Sequence, residues 1–376
     1  MAIVFSTMFF LYACIIILLI KGLLKARGLA DQVLPPLSER TMVSIIIAAR
    51  NEKGIIEQLL ADLGQQDYLS FEVIVVDDHS EDGTATTVKR ISDNDSRFSV
   101  LQGIATGKKQ AITQGIDAAK GTIIVTTDAD CRVTRHWISQ MTRDFSDRQT
   151  QFVFGGVTMH GETFFSSLQS MEFATLVATG AATAEMGIPT MCNGANLAFR
   201  KTAFYAVGGY TGNMNIPSGD DGFLMRKIID RFPNAAKFVA YRSSGVRTKA
   251  NDDLKQLFHQ RIRWAGKWRV QSSLTAKVLA IFIFSFHVSF VLLFPLTFLG
   301  VISPFLAAIM WLTKLVGELI FMRLAVQFLE VKWSWKAFGV LQFVYSLYVI
   351  LIALFCNLRG FVWKGRKLKT LSVSGN

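Results

Sequence analysis

Three kinds of hydrophobic pattern follow one another along the 376 residues. From Ile3 to Ile20 the chain is an unbroken run of apolar or small residues. As a helix it reaches across roughly 30 Å of hydrocarbon. A cleaved leader carries its positive charge before such a run and a small-residue cleavage site after it. Here Lys21, Lys25 and Arg27 follow the run instead. The positive-inside rule then puts the amino terminus outside and the next domain in the cytosol.

From Val43 to about Ala250 short β-rich runs alternate with polar helical stretches. The spacing predicts strands over Val43 to Ala48, Glu72 to Asp77 and Thr122 to Thr127, with helices near Lys53 to Gly64, Asp82 to Ser92 and Lys108 to Ala119. This alternation builds a mostly parallel sheet flanked by helices. Such sheets bind ligands beyond the carboxyl ends of their strands. After Asp252 a helical stretch mixes Lys255, Arg261, Arg263, Lys267 and Arg269 with Leu254, Leu257, Phe258, Trp264 and Trp268, the pattern of a helix lying on a membrane surface. Apolar segments then run from about Val278 to Leu299, Pro304 to Leu324 and Phe338 to Leu358.

The expected organisation is an N-terminal membrane anchor (1–27), a cytosolic α/β domain (40–250), an interfacial helix (251–272), C-terminal membrane segments (278–358) and a basic tail (359–376). Three C-terminal crossings leave Arg359, Lys364, Arg366, Lys367 and Lys369 outside, against the charge rule. The middle segment, with Lys314, Glu318 and Arg323, is the least lipid-like.

Composition agrees with a membrane component, since 51% of residues are hydrophobic. The net charge of +12 clusters beside the apolar runs and in the tail, which favours anionic lipid surfaces. With no zinc-finger spacing and no aromatic-basic RNA signature, nucleic acid is not an expected partner. The four cysteines, Cys14, Cys131, Cys192 and Cys356, form no C-x-x-C pair. Free thiols fit a reducing compartment.

Candidate chemistry gathers at the strand ends. The first strand runs out at Ala48-Ala49-Arg50-Asn51-Glu52, where Glu52 can accept from a ribose hydroxyl or serve as a plain helix N-terminal acid. The second ends in Asp77-Asp78-His79-Ser80-Glu81-Asp82. Capping accounts for Ser80 and Asp82. It does not account for Asp77 and Asp78, whose carboxylates can accept from a base imide. Gly107-Lys108 opens a helix, where it can steer phosphates or be simply a solvated lysine at a helix start. Asp128-Ala129-Asp130 places two carboxylates two residues apart at a strand end, where a hard cation shares them with phosphate oxygens and water. The Asn193-Gly194 turn can let a sugar approach the backbone or be a plain tight hairpin turn. Asp220 and Asp221 open a helix, as caps or as a proton acceptor for an attacking hydroxyl. Gln260, Arg263 and Trp264 sit on the interfacial helix, where Trp264 can stack on a pyranose or anchor among headgroups.

In this order the motifs resemble the family-two glycosyltransferases, particularly the membrane-integrated branch with cellulose, chitin, hyaluronan and ceramide-glucoside synthases. The resemblance covers about Val43 to Trp268 and implies a GT-A type fold. It implies that Ala48, Glu52, Asp78, Lys108 and Asp128 contact the donor nucleotide-sugar. Asp130, with Asp128, would hold a divalent metal (Mg²⁺ or Mn²⁺). Asp221 would be the general base, and Asn193, Gly194, Asp220, Gln260, Arg263 and Trp264 would meet the acceptor. The chain departs from the family pattern where Ala48 replaces a frequent proline, His79 a frequent glycine and Asp220 a common glutamate. None of these removes a required functional group.

The expected function is inverting, metal-dependent transfer of a sugar from a nucleotide-sugar, a UDP-sugar in the first instance, to a lipid or lipid-linked glycan. The bilayer is the other expected partner, and the catalytic domain would face the cytoplasm (at the inner membrane if the source is bacterial). Two alternatives remain open. One is a processive polysaccharide synthase; the other is a non-catalytic membrane protein that binds a nucleotide-sugar. A dehydrogenase is disfavoured, because no Gly-x-Gly-x-x-Gly follows the first strand.

Overall fold

The computed structural model describes residues 2–29, 37–38, 40–214, 216, 218–266, 274–356, 361–363 and 366–368. They fall into two compact units, Lys25–His160 with Val177–Lys249, and Met1–Leu24 with Gly161–Leu176 and Ala250–Asn376. Helix α1 (Ala2–Leu29) opens the chain.

The first unit is α/β. Strands β1 (Val43–Ala49), β2 (Phe71–Asp77), β3 (Phe98–Gln102) and β4 (Ile123–Thr126) alternate with helices α2 (Lys53–Gly64), α3 (Thr84–Ser92) and α4 (Lys108–Ala118). The strands are nearly continuous Ile and Val because both faces of the sheet are covered; Ile45, Ile46, Ile47, Val73 and Val75 are fully buried. The helices show the complementary one-sided pattern. In α2, Ile56, Leu59, Leu60 and Leu63 are the buried set, spaced as one helical face.

The chain continues through β5 (Cys131–Arg132), α5 (Trp137–Thr142), β6 (Phe152–Gly155), β7 (Val157–His160), α6 (Phe164–Glu185), β8 (Leu197–Arg200), α7 (Lys201–Ala206), α8 (Asp220–Arg231), β9 (Ala236–Val239) and β10 (Val246–Lys249). The seven-stranded sheet has the order β3-β2-β1-β4-β8-β6-β9, beside a small sheet β5-β10-β7. Pairing is parallel from β3 to β4, and β8 runs antiparallel to both neighbours. Register brings Ala49 opposite Asp77, and Asp77 opposite Gln102. The predicted acidic residues therefore emerge along one edge. On the far half of the sheet, Phe152, Phe154, Phe199, Phe204 and Phe238 interlock with ring centroids 5.4–6.4 Å apart.

The second unit holds the first part of α6 together with α9 (Leu254–Ala265), α10 (Leu274–Phe298), α11 (Pro304–Phe328), α12 (Trp335–Phe355) and the hairpin β11 (Phe361–Trp363) with β12 (Arg366–Leu368). Among the described residues four helices are long and apolar enough to cross a membrane: α1, α10 over Lys277–Phe298, α11 and α12. Large apolar side chains such as Phe10, Ile17, Val316, Ile320, Phe343 and Leu347 remain exposed on them.

Lys314 and Glu318 of α11 face inward and satisfy each other. Lys314 pairs with Glu318 at 2.8 Å. Glu318 also accepts from the Tyr12 hydroxyl at 2.6 Å and from Gln342 at 3.0 Å. This i, i+4 pair is one part of a larger network. Met171 and Ala174 of α6 pack against Met322, Val326, Ala337 and Phe338. Ile262 of α9 packs against Ile352 and Cys356. Lys267, Trp268, Arg269, Arg359, Lys364 and Lys369, called as interfacial or tail residues, lie outside the described residues.

Candidate active site

Lys108 is the centre of the site. It opens α4 after Gly107, whose φ of 116° lies in the region that favours glycine. Its Nζ lies 2.6 Å from Asp128 Oδ1 and 3.3 Å from Asp220 Oδ2. Burial alone would lower its pKa, but Asp128, then Asp220 and Asp221, raise it well above the ordinary lysine value. The ammonium stays charged and holds two acidic motifs, 92 residues apart in sequence, in one place.

Asp78, 1% exposed, accepts from the Gly107 N–H at 3.1 Å and so joins the β2 edge to the same helix start. Asp221 accepts from the Gly194 N–H at 3.2 Å and from the Gly222 N–H at 2.6 Å. Gly194 returns its carbonyl to the Thr126 hydroxyl at 3.0 Å, fixing the 193–196 turn on the end of β4. A Cβ at Gly194 would stand 3.0 Å from Asp220 Oδ2 and 3.3 Å from Lys108 Nζ. Only glycine leaves the ion pair undisturbed.

Asp128 and Asp130 are half-buried, separated by the buried Ala129. Among the described residues no three His, Cys, Asp or Glu side chains converge as a self-sufficient metal site. Two hard, partly solvated carboxylates nevertheless fit a divalent cation whose remaining ligands are diphosphate and water oxygens. Next to them burial, then Asp128 and Asp130, push the Cys131 thiol well up, so it stays protonated and inert.

The turn after β1 is held from the β2–α3 segment. Asn51, with φ 52°, donates its N–H to Ser80 Oγ at 3.0 Å, and Lys53 N–H donates to Asp82 Oδ2 at 2.9 Å. Asp82 also receives the N–H and the hydroxyl of Thr84 at 3.0 and 2.6 Å. α3 therefore begins at Thr84, with left-handed Gly83 in the cap position, two residues later than the sequence pattern indicates. Glu52, 8% exposed, occupies the cap position of α2 but caps nothing with its side chain. Ala48 is half-buried opposite Val76. Asn193 accepts from Ala195 N–H at 3.0 Å, closing its own turn.

Asp78, Lys108, Asp128, Gly194, Asp220 and Asp221 thus form one connected set, with Asp130 beside it. Gln260, Arg263 and Trp264 belong to the other unit, on α9.

Three residues not singled out in the sequence support the set. Lys109, 5% exposed, donates to the carbonyls of Asn213, Ile216 and Ser218 at 2.7, 2.9 and 3.2 Å. It anchors the segment that delivers Asp220 and Asp221. Helical neighbours point about 100° apart, so Lys108 and Lys109 serve different partners. Replacing Lys109 with Met is expected to cost about 2–4 kcal/mol by leaving these carbonyls without a charged donor, measurable as a lower Tm of the solubilised protein. Asn196, fully buried, binds Gly156 O, Ser244 O and Trp137 Nε1. Tyr210 is 3% exposed, and burial, then Asp220, pushes its phenol well up. A buried Asn or Tyr in a turn-rich stretch leaves no periodic signal.

The sheet order, the edge of carboxylates and the flanking helices define a GT-A glycosyltransferase fold. A mannosyltransferase from Pyrobaculum calidifontis, solved with GDP-Man and Mn²⁺, has that fold and matches 95% of this chain and 97% of its own at 18% identity, with a TM-score of 0.56. Residues 44–208 match the model of glycosyl transferase family 2. Similar curated proteins include a beta-monoglucosyldiacylglycerol synthase of Trichormus variabilis, 26% identical over 231 residues (59% of this chain, 48% of that protein). Another is a poly-beta-1,6-N-acetyl-D-glucosamine synthase of Staphylococcus aureus, 27% identical over 137 residues (36% and 33%). The match spans about half the length of the first and a third of the second.

Proposed function

We propose that the chain transfers a sugar from a nucleotide-sugar to a membrane lipid or lipid-linked acceptor with inversion at the anomeric carbon. The observation that carries this reading is the single charged cluster in which Lys108 holds Asp128 and Asp220 beside Asp221.

Asp221 accepts the proton of the acceptor hydroxyl. Its two oxygens are oriented by the N–H groups of Gly194 and Gly222. The acceptor oxygen bonds to the anomeric carbon as the bond to the diphosphate oxygen breaks, and the nucleoside diphosphate leaves. Lys108 supplies positive charge near the diphosphate, and Glu52 and Asp78 receive the nucleoside. A divalent cation held by Asp128 and Asp130 would neutralise charge on the leaving group. Neighbouring proteins carry GDP-Man or are named for glucose and N-acetylglucosamine products, so the base and sugar of the donor are to be determined over both UDP- and GDP-sugars.

The lipid acceptor is supported by the four apolar helices and by the relative named for a glucosyldiacylglycerol. The polar side chains of those helices also favour it over processive synthesis. Lys314, Glu318, Gln342 and Tyr12 are bonded to one another, as are His287 and Ser346, which ties helices together in place of lining a path. Cytosolic placement of the α/β domain is supported by Lys21, Lys25 and Arg27 in the C-terminal part of α1. NMR of the product made from an α-configured donor is expected to show a β linkage. An α linkage defeats the single-displacement mechanism.

A further inference from the structure

α9 is held by side chains that no motif names. Arg261, 5% exposed, forms an ion pair with Glu172 of α6 and donates Nε to the Tyr348 hydroxyl of α12 at 3.0 Å. Its guanidinium lies over the Trp264 ring, 4.4 Å from the centroid. Phe173 of α6 meets the same ring with centroids 5.5 Å apart. One turn away, Gln169 accepts from the N–H and the side-chain amide of Asn251, both at 2.9 Å, and returns a bond to Asn251 O at 2.9 Å. Asn251 also donates to Gln260 Oε1 at 3.1 Å. Residues 169, 172 and 173 share one face of α6. That face orients Gln260 and Trp264.

We propose that Arg261 and Glu172 are a positioning pair that sets the Trp264 ring for the acceptor, an inference that rests on the reading of α9 as an acceptor-binding helix. A buried ion pair adds little net stability over apolar residues of the same volume. It does fix geometry. A planar guanidinium can pair with a carboxylate and a phenol while stacking on an indole, and an ammonium cannot do all three. Lysine at 261 therefore keeps the charge and loses the ring alignment.

The test uses the full chain in lipid nanodiscs, labelled with 5-fluorotryptophan, the Trp264 signal being assigned with W264F. In R261K, which keeps a cation beside Glu172, the Trp264 ¹⁹F resonance should shift or broaden while nucleoside diphosphate affinity and Tm stay close to wild type; E172Q, which strands a buried guanidinium, should shift it too, with a lower Tm and unchanged nucleotide affinity. The kcat/KM for the acceptor should fall about 10–100-fold, the scale of a misplaced reacting group. An unchanged Trp264 resonance, or an acceptor kcat/KM within twofold of wild type in both variants, overturns the positioning role. So does a loss of Tm and nucleotide affinity in parallel with activity, which marks a general structural role. If wild type transfers no sugar, the proposed function fails, and the resonance alone decides whether Arg261 and Glu172 set Trp264.

Discussion

Replacement of Asp221 by Asn should abolish transfer and spare nucleotide binding. General-base removal costs on the order of 10²–10⁴ in rate. The amide is nearly isosteric, so the fold is retained. Its oxygen can keep the 2.6 Å bond from Gly222 N–H. Its NH₂ then faces Gly194 N–H where the carboxylate accepted at 3.2 Å, at a cost of about 1 kcal/mol. Lys108 retains Asp128 and Asp220 as partners, which keeps the donor side assembled. Calorimetric titration with UDP and GDP, beside a transfer assay, separates the effects. Unchanged transfer removes Asp221 from the base role. Binding and transfer lost together show that it builds the site.

The second large effect is expected at Asp130. Ala there removes one of the two carboxylates offered to the cation, and because Asp130 is half-buried rather than core the fold should persist. Asp128 cannot compensate alone, since one of its oxygens is engaged by Lys108. Transfer should fall by about 10²–10³, the scale on which a transition-state charge stabiliser acts. The Mn²⁺ concentration needed for half-maximal nucleotide binding should rise at least about tenfold as a coordinating oxygen is lost. Chelation of divalent ions should stop the wild type. An Asp130→Ala variant with the same metal requirement would place the cation elsewhere.

The parts of the fold that were legible are those with long periodic runs. β1 and β2 extend the predicted strands by one residue each, to Ala49 and from Phe71, and α2 matches its predicted span. β4 is shorter than its apolar run because Cys131 N–H bonds back to Asp128 O at 3.1 Å and turns the chain out of the ladder. The short strands β6, β9 and β10, of four residues each, escape periodicity altogether. So does α6, an Ala- and Thr-rich helix that contributes to both units. Legibility of the site followed the same division. Acids at strand ends stand out because a carboxylate after a buried strand is costly without a purpose. The bonds that assemble them are long-range: Lys108 to Asp220, Gly194 to Asp221, Lys109 to the 213–218 segment. No local pattern encodes such pairings. Arg261 reads as one more basic residue of an amphipathic helix, whereas the residue is almost wholly buried.

The central claim is that this chain moves a sugar from a nucleotide onto a membrane lipid. It is tested most directly by incubating the purified, lipid-reconstituted protein with Mn²⁺ and a panel of radiolabelled UDP- and GDP-sugars, then following both nucleoside diphosphate release and the solubility and size of the labelled product. The account predicts that one donor gives stoichiometric diphosphate release and an organic-soluble product bearing a single added sugar, absent with Asp221→Asn. A water-soluble polymer, or binding of every donor with no release from any, would contradict it.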